Sequence, residues 1–275
     1  MRKAFLSSVS ALVLSSSLAM AADMPVKARP MPAPLLPSWT GFYLGLNAGY
    51  AWGNSDPTFV GGPVNVAPFF FAPTVGSPPS LDPKGFIGGG QAGYNWQTGQ
   101  WVFGGEIDFS GLDVKADASI SPFFIGKGVP PGSRTVTWSS RYNWLFTARL
   151  RGGFLVAPNW LLYATGGLAV THVKDSVVCT STSPGSCGNF PLGASLTWSD
   201  SETLAGGTIG GGIETMFAPN WTARVEYLFA KFKDTTPPVA SAPAPFPPIA
   251  PVPSLFSFNH DLNVVRFAIN YKFGS

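Results

Sequence analysis

Asn263-Val264-Val265-Arg266-Phe267-Ala268-Ile269-Asn270-Tyr271-Lys272-Phe273 places an apolar or aromatic side chain at every odd position from Val265 to Phe273. The even positions read Val264, Arg266, Ala268, Asn270 and Lys272. Successive side chains of an extended strand point to opposite faces, so one face here is greasy and the other mostly polar. A soluble sheet would bury the greasy face and coat its outside with charge. Charge is scarce in this chain: 11% of residues are charged, against about 25% in ordinary soluble domains, and mean hydropathy is +0.19. The pattern predicts a sheet turned inside out, apolar outside and polar within.

The same alternation returns upstream. Over 40–52 it sets Phe42, Leu44, Leu46, Ala48, Tyr50 and Trp52 outward against Tyr43, Gly45, Asn47 and Gly49. Over 84–96, Phe86, Ala92, Tyr94 and Trp96 oppose Gln91, Gly93 and Asn95, and over 101–112, Trp101, Phe103, Ile107 and Phe109 oppose Gly104, Glu106, Asp108 and Ser110. The stretch 137–153 reads Trp138, Tyr142, Trp144, Phe146 and Leu150 outward, with Arg141, Asn143, Thr147, Arg149 and Arg151 inward. Three more strands are expected at 160–172, 202–215 and 221–232, the last with Trp221, Val225, Tyr227 and Phe229 against Thr222, Arg224 and Glu226. With the carboxyl-terminal strand the count is eight, an allowed even number for a bacterial barrel; a hairpin inside a long connection would make it ten.

Arg2 and Lys3 precede an apolar stretch ending at Ala19-Met20-Ala21, which reads as a secretory signal over 1–21. A Pro-rich lead over 22–38 follows, and the barrel is expected over 39–275. Beyond the leader no stretch is long and apolar enough to span as a helix. A sheet that crosses lipid must close on itself, because lipid satisfies no backbone hydrogen bonds. Connection lengths agree: tight turns at 97–100, Ala157-Pro158-Asn159 and Ala218-Pro219-Asn220 alternate with long connections near 53–83, 113–136, 173–201 and 233–261. Short periplasmic turns and four long surface loops produce that rhythm, and put both termini in the periplasm. Removing Arg2 and Lys3 leaves 15 basic against 14 acidic residues without a basic cluster, so no nucleic-acid partner is expected.

The signal, the Pro-rich lead, Trp39-Thr40-Gly41-Phe42-Tyr43-Leu44-Gly45, Leu162-Tyr163-Ala164-Thr165-Gly166-Gly167-Leu168 and the final aromatic strand resemble the alphaproteobacterial porin-family outer-membrane β-barrel proteins, the outer-membrane immunogenic proteins. That family is similar in fold to the eight-stranded OmpA transmembrane barrel. In this chain Gly274 and Ser275 follow Phe273, where the family pattern ends on the aromatic. The expected setting is the outer membrane of a Gram-negative bacterium, in contact with membrane lipid and lipopolysaccharide, with the oligomeric state open and a monomer favoured.

Candidate chemistry is sparse. Gly88, Gly90 and Gly93 fit a dinucleotide-type glycine spacing, but a strand rather than a helix follows, and glycines relieving crowding in a narrow barrel account for them better. Cys179 and Cys187 share one loop of an exported chain, and a disulfide is expected. Trp52, Trp96, Trp101, Trp160, Trp221 and Phe273 are expected at the membrane interfaces. Glu106, Asp108, Arg141, Arg149, Arg151, Glu214, Arg224, Glu226 and Arg266, with Lys272 nearby, would share one lumen. Paired, they close it; an arginine excess would instead suit an anion-biased pore. His172 and His260 are the only histidines and the only haem or metal candidates, and without a supporting Cys or carboxylate pattern no cofactor is expected. No nucleophile is paired with a base in the sequence, so the expectation is a structural surface protein with loop-mediated contacts to a host or environmental ligand. The alternatives are a small-solute porin and a haem receptor.

Overall fold

The computed structural model describes residues 38–59, 80–121, 123–126, 129–182, 193, 195–233 and 256–273. Nine strands follow in chain order: β1 (Gly41–Phe59), β2 (Lys84–Thr98), β3 (Trp101–Ile120), β4 (Phe123–Gly126), β5 (Val129–Ala157), β6 (Trp160–Ser181), β7 (Ser195–Ala218), β8 (Trp221–Phe232) and β9 (Phe256–Phe273). Each long strand pairs antiparallel with its neighbours in the order β3-β2-β1-β9-β8-β7-β6-β5, and β3 pairs with β5 to close the ring. Eight long strands therefore form a barrel without edges. β4 is a four-residue strand that folds onto the far end of β5 and leaves the ring count unchanged. Among the described residues no helix is long and apolar enough to cross a membrane.

The carboxyl-terminal strand that decided the fold pairs with β1 from Phe42↔Phe273 to Phe59↔Phe256 and with β8 from Trp221↔Tyr271 to Lys231↔Asp261. Its Val265, Phe267, Ile269, Tyr271 and Phe273 face out, and Arg266, Ala268, Asn270 and Lys272 face in. From Phe42 to Trp52 on β1 the outward side chains form a greasy band about 25 Å tall, taking about 3.3 Å per residue and a strand tilt of about 40°. That height matches the apolar belt of an outer-membrane barrel.

Two expectations about extent and parity need correction. Strand reaches into each of the stretches read as loops at 53–83, 113–136, 173–201 and 233–261: β1 runs on to Phe59, β3 to Ile120, β6 to Ser181, β5 begins at Val129, β7 at Ser195 and β9 at Phe256. The alternation continues there with reversed chemistry. Leu112, Val114, Val136, Trp138, Val173 and Val177 are buried inside the barrel, while Asp113, Lys115, Asp117 and Lys174 stand outside. Past the lipid the same sheet is an ordinary water-facing sheet, greasy in and charged out. Second, β5 does not keep one parity. Its register shifts against β6 between Tyr142 and Trp144 and against β3 between Gly111 and Val114. This irregularity exchanges the faces of β5, as a bulge does. Thr147, Arg149 and Arg151 face in as expected, but Trp138 and Tyr142 are buried inside, and Arg141 and Asn143 are exposed outside.

Candidate functional site

The middle of the lumen is filled by charge. Glu106 and Asp108 come from β3, Arg149 and Arg151 from β5, Glu214 from β7, Arg224 and Glu226 from β8, and Arg266 from β9. Each of these side chains is almost fully buried. Arg224 grips Glu106 with both arms, Nη1 donating to Oε2 at 2.6 Å and Nη2 to Oε1 at 2.7 Å. Arg149 donates to Glu106 Oε1 at 2.5 Å, to Asp108 Oδ2 at 3.0 Å and to Glu226 Oε1 at 3.0 Å. Arg266 donates to both oxygens of Asp108, at 3.0 and 3.2 Å, and through Nε to Glu226 Oε2 at 2.8 Å. Nearer the tight turns, Arg151 donates to Glu214 Oε2 at 2.6 Å and lies over the Tyr163 ring at 4.0 Å. Such planar forks meeting carboxylates are the strongest ion-pair geometry proteins use.

Neutral groups take up remaining lone pairs. Tyr43 Oη donates to Glu106 at 2.6 Å, Tyr163 Oη to Glu226 at 2.9 Å, Thr222 to Glu214 at 2.5 Å, and Thr147 to Asp108. Asn270 donates to Glu214 at 3.1 Å and accepts from Gln91 at 2.5 Å, which in turn accepts from Asn47 at 3.1 Å. Close approach explains one glycine of the β2 run: a Cβ at Gly93 would collide with the Tyr43 hydroxyl. Gly88 and Gly90 face outward, where a Cβ would meet only backbone oxygens at 3.6 and 3.7 Å.

Two apolar layers bracket the charges. On the tight-turn side, Trp39, Val102, Leu161, Tyr163 and Met216 pack together, and Trp39 Nε1 donates to Pro158 O at 3.3 Å. On the other side lie Ile87, Leu112, Val114, Leu145, Val173, Leu204, Leu228, Phe232, Leu262 and Val264. Beyond them His260 meets Tyr142 Oη at 3.0 Å, Ser55 Oγ at 3.4 Å and Asp175 Oδ2 at 3.3 Å. Ser55, His260 and Asp175 are a serine, a histidine and a carboxylate in contact, but all three are buried, Ser55 and His260 completely. Ser55 and Tyr142 were missed in the sequence because one lay in an expected loop and the other on the wrong face.

The sequence-predicted residues thus divide. Glu106, Asp108, Arg149, Arg151, Glu214, Arg224, Glu226 and Arg266 come together, four carboxylates with four guanidinium groups. Arg141 does not join them, because the β5 irregularity turns it outward, and Lys272 lies at the tight-turn end, donating to Ser38 O at 2.7 Å. Trp52, Trp96, Trp101, Trp160, Trp221 and Phe273 all face outward, with 40 to 60% of their surface exposed. His172 stacks on the outward Trp144, centroids 6.2 Å apart, whereas His260 is sealed inside. The barrel wall separates the two rings, so they cannot share a haem or a metal. Cys179 is buried on β6 and is not a free thiol; Cys187 lies outside the described residues, as do the leader and the Pro-rich lead over 1–37.

Residues 9–244 match the family model described as outer membrane protein beta-barrel domain. The chain belongs to the outer membrane β-barrel protein family. A 31 kDa outer-membrane immunogenic protein of Brucella melitensis is 36% identical over 239 residues, covering 83% of this chain and 86% of that one. A 22 kDa outer membrane protein of Rhizobium leguminosarum is 29% identical over 245 residues, covering 88% and 82%. Among solved structures, the outer membrane protein OprG from Pseudomonas aeruginosa aligns with a TM-score of 0.43 and 12% identity, covering 87% of this chain and 99% of that one. The family match and the two sequence relatives make this barrel an outer membrane protein of Gram-negative bacteria.

Proposed function

We propose that this barrel is a closed, non-conducting element of the outer membrane, whose work is structural and interactive rather than catalytic. Its tight turns and both termini lie in the periplasm, and the long-connection end stands outside the cell. There the loops present a surface to the environment or a host, a reading in keeping with relatives named for their immunogenicity. The observation that carries the reading is the neutrality of the lumen layer. Four guanidinium groups meet four carboxylates at hydrogen-bonding distance, their side chains no more than 3% exposed. Eight strands enclose roughly the volume that side chains fill. The arginine excess that would favour an anion pore is gone, because Arg141 is outside and Lys272 is at the turn end. The serine, carboxylate and imidazole of Ser55, Asp175 and His260 serve packing, since all three are buried. The test is single-channel conductance of the refolded barrel in a planar bilayer. Insertion without conductance steps is expected; reproducible steps from the native protein would refute closure and restore the porin reading.

A further inference from the structure

Four cations stand side by side on the outside of the wall. Lys84 on β2 is the register partner of Lys115 on β3, Lys115 that of Arg141 on β5, and Arg141 that of Lys174 on β6. All four face outward and are exposed. The row crosses three inter-strand steps, about 14 Å at about 4.8 Å each. Like charges directly opposed across strands destabilise a sheet, so the row costs the free protein stability and calls for a counter-ion. Among the described residues the protein supplies little: Asp113 pairs with Lys115, at 3.6 Å and with both side chains more than half exposed, while Asp82 and Asp117 stand two residues further from the lipid.

The depth of the row is as telling as its charge. Lys84 is the register partner of Trp52 at the rim of the greasy band and lies one outward step beyond Phe86. Trp144 and His172 stack just beneath Arg141 and Lys174. The cations therefore stand at the level of lipid headgroups. Below them Ala48, Gly88 and Gly111 are register partners on β1, β2 and β3. A Cβ at Gly88 would meet only Asn47 O at 3.6 Å, and one at Gly111 only Gly88 O at 3.8 Å, so the wall is bare between the rings of Phe86 and Phe109. An acyl chain descending from a headgroup at the row can cross that bare patch and continue over Gly90 on β2.

We propose that this row docks the phosphorylated headgroup of an anionic glycolipid of the outer leaflet, with an acyl chain laid on the bare patch below. The inference rests on the reading that the long-connection end faces outward. Lys and Arg bind phosphate through charge-assisted hydrogen bonds, and a row of four fits a headgroup carrying two phosphates. The lipid cancels the repulsion along the row and ties the barrel to the leaflet that surrounds it.

The test compares the full barrel with the quadruple variant Lys84→Gln/Lys115→Gln/Arg141→Gln/Lys174→Gln, with Lys231→Gln on β8 as the control outside the row. Binding of bisphosphorylated lipid A, dephosphorylated lipid A, phosphatidylglycerol and inorganic phosphate is measured by native mass spectrometry from detergent. At about fivefold per cation near a membrane surface, the quadruple variant is expected to lose at least about 50-fold in affinity for the bisphosphorylated lipid, even after Asp113 offsets part of the charge. Lys231→Gln should bind like the native protein, and dephosphorylated lipid A should bind weakly to every form. Unchanged binding in the quadruple variant overturns the proposal. So does equal binding of phosphatidylglycerol, which would mean a general anionic surface, or tight binding of inorganic phosphate alone. Protease accessibility of the loops in intact cells reports orientation separately, so a wrong orientation is distinguished from an absent site. Heat-modifiable gel mobility confirms that each variant is folded.

Discussion

Replacing Glu106 by glutamine should destabilise the barrel by about 3 to 5 kcal/mol, the usual cost of removing one partner from a buried ion pair. Glu106 accepts four bonds: from Tyr43 at 2.6 Å, from Arg149 at 2.5 Å, and from both arms of Arg224 at 2.6 and 2.7 Å. Glutamine keeps the shape but turns an amide N–H toward donors, and leaves four guanidinium groups facing three carboxylates in a buried layer. Apolar side chains pack on either side of the charges. In folding equilibrium the loss corresponds to about two to three and a half orders of magnitude. Urea titration in lipid vesicles, followed by tryptophan emission and gel mobility, measures it. Asp113→Asn is the matched control, since its pair with Lys115 is 55 and 78% exposed on the two side chains and should be worth at most about 1 kcal/mol. Adding Arg224→Met to Glu106→Gln restores neutrality and should recover at least half the loss. A Glu106→Gln barrel within about 1 kcal/mol of the native protein would refute the argument, because it would mean that the lumen charges are hydrated rather than held by one another.

Other predictions address the wall and the loop. In a Cys179→Ala/Cys187→Ala background, Arg141→Cys should react rapidly with a water-soluble maleimide while Ser140→Cys, one residue away on the inner face, stays protected; the reverse order would remove the change of faces on β5. Gly93→Ala should cost about 1 to 3 kcal/mol by driving Tyr43 off Glu106, whereas Gly88→Ala, whose Cβ would make only an ordinary contact with Asn47 O, should be close to neutral in the same urea titration. Non-reducing mass spectrometry should find Cys179 and Cys187 joined, and reduction should weaken the loop they close by about 2 to 3 kcal/mol; two alkylatable thiols in the exported protein would refute the pairing.

The greasy band was legible in the sequence because lipid enforces a strict period of two. Phe42 to Trp52, Trp101 to Phe109 and Val265 to Phe273 each name their outward face without any knowledge of their neighbours. The tight turns were equally plain, since Ala157-Pro158-Asn159 and Ala218-Pro219-Asn220 sit between two such runs. What failed was the assumption that one parity and one polarity hold along a whole strand. Beyond the band, Leu112, Val114, Trp138 and Val173 are buried for the ordinary reason that water lies outside, so the apolar set moves to the inner face. On β5 a local irregularity makes that exchange within two residues, and a pattern of alternating Trp138, Tyr142, Trp144 and Phe146 gives no sign of it. The lumen partners were legible as a set but not as pairs, because Arg149 meets Glu226 across 77 positions of sequence and Arg266 meets Asp108 across 158.

The strands that outrun the lipid make the barrel a pedestal. From Tyr43, beside the charge layer, to Phe59 at the far end of the β1 and β9 ladder is about 40 Å along the axis, taking about 3.3 Å per residue and a tilt of about 40°. At the far end Phe59 and Phe256 are register partners, so the ends of β1 and β9 are held side by side by backbone pairing rather than by their side chains.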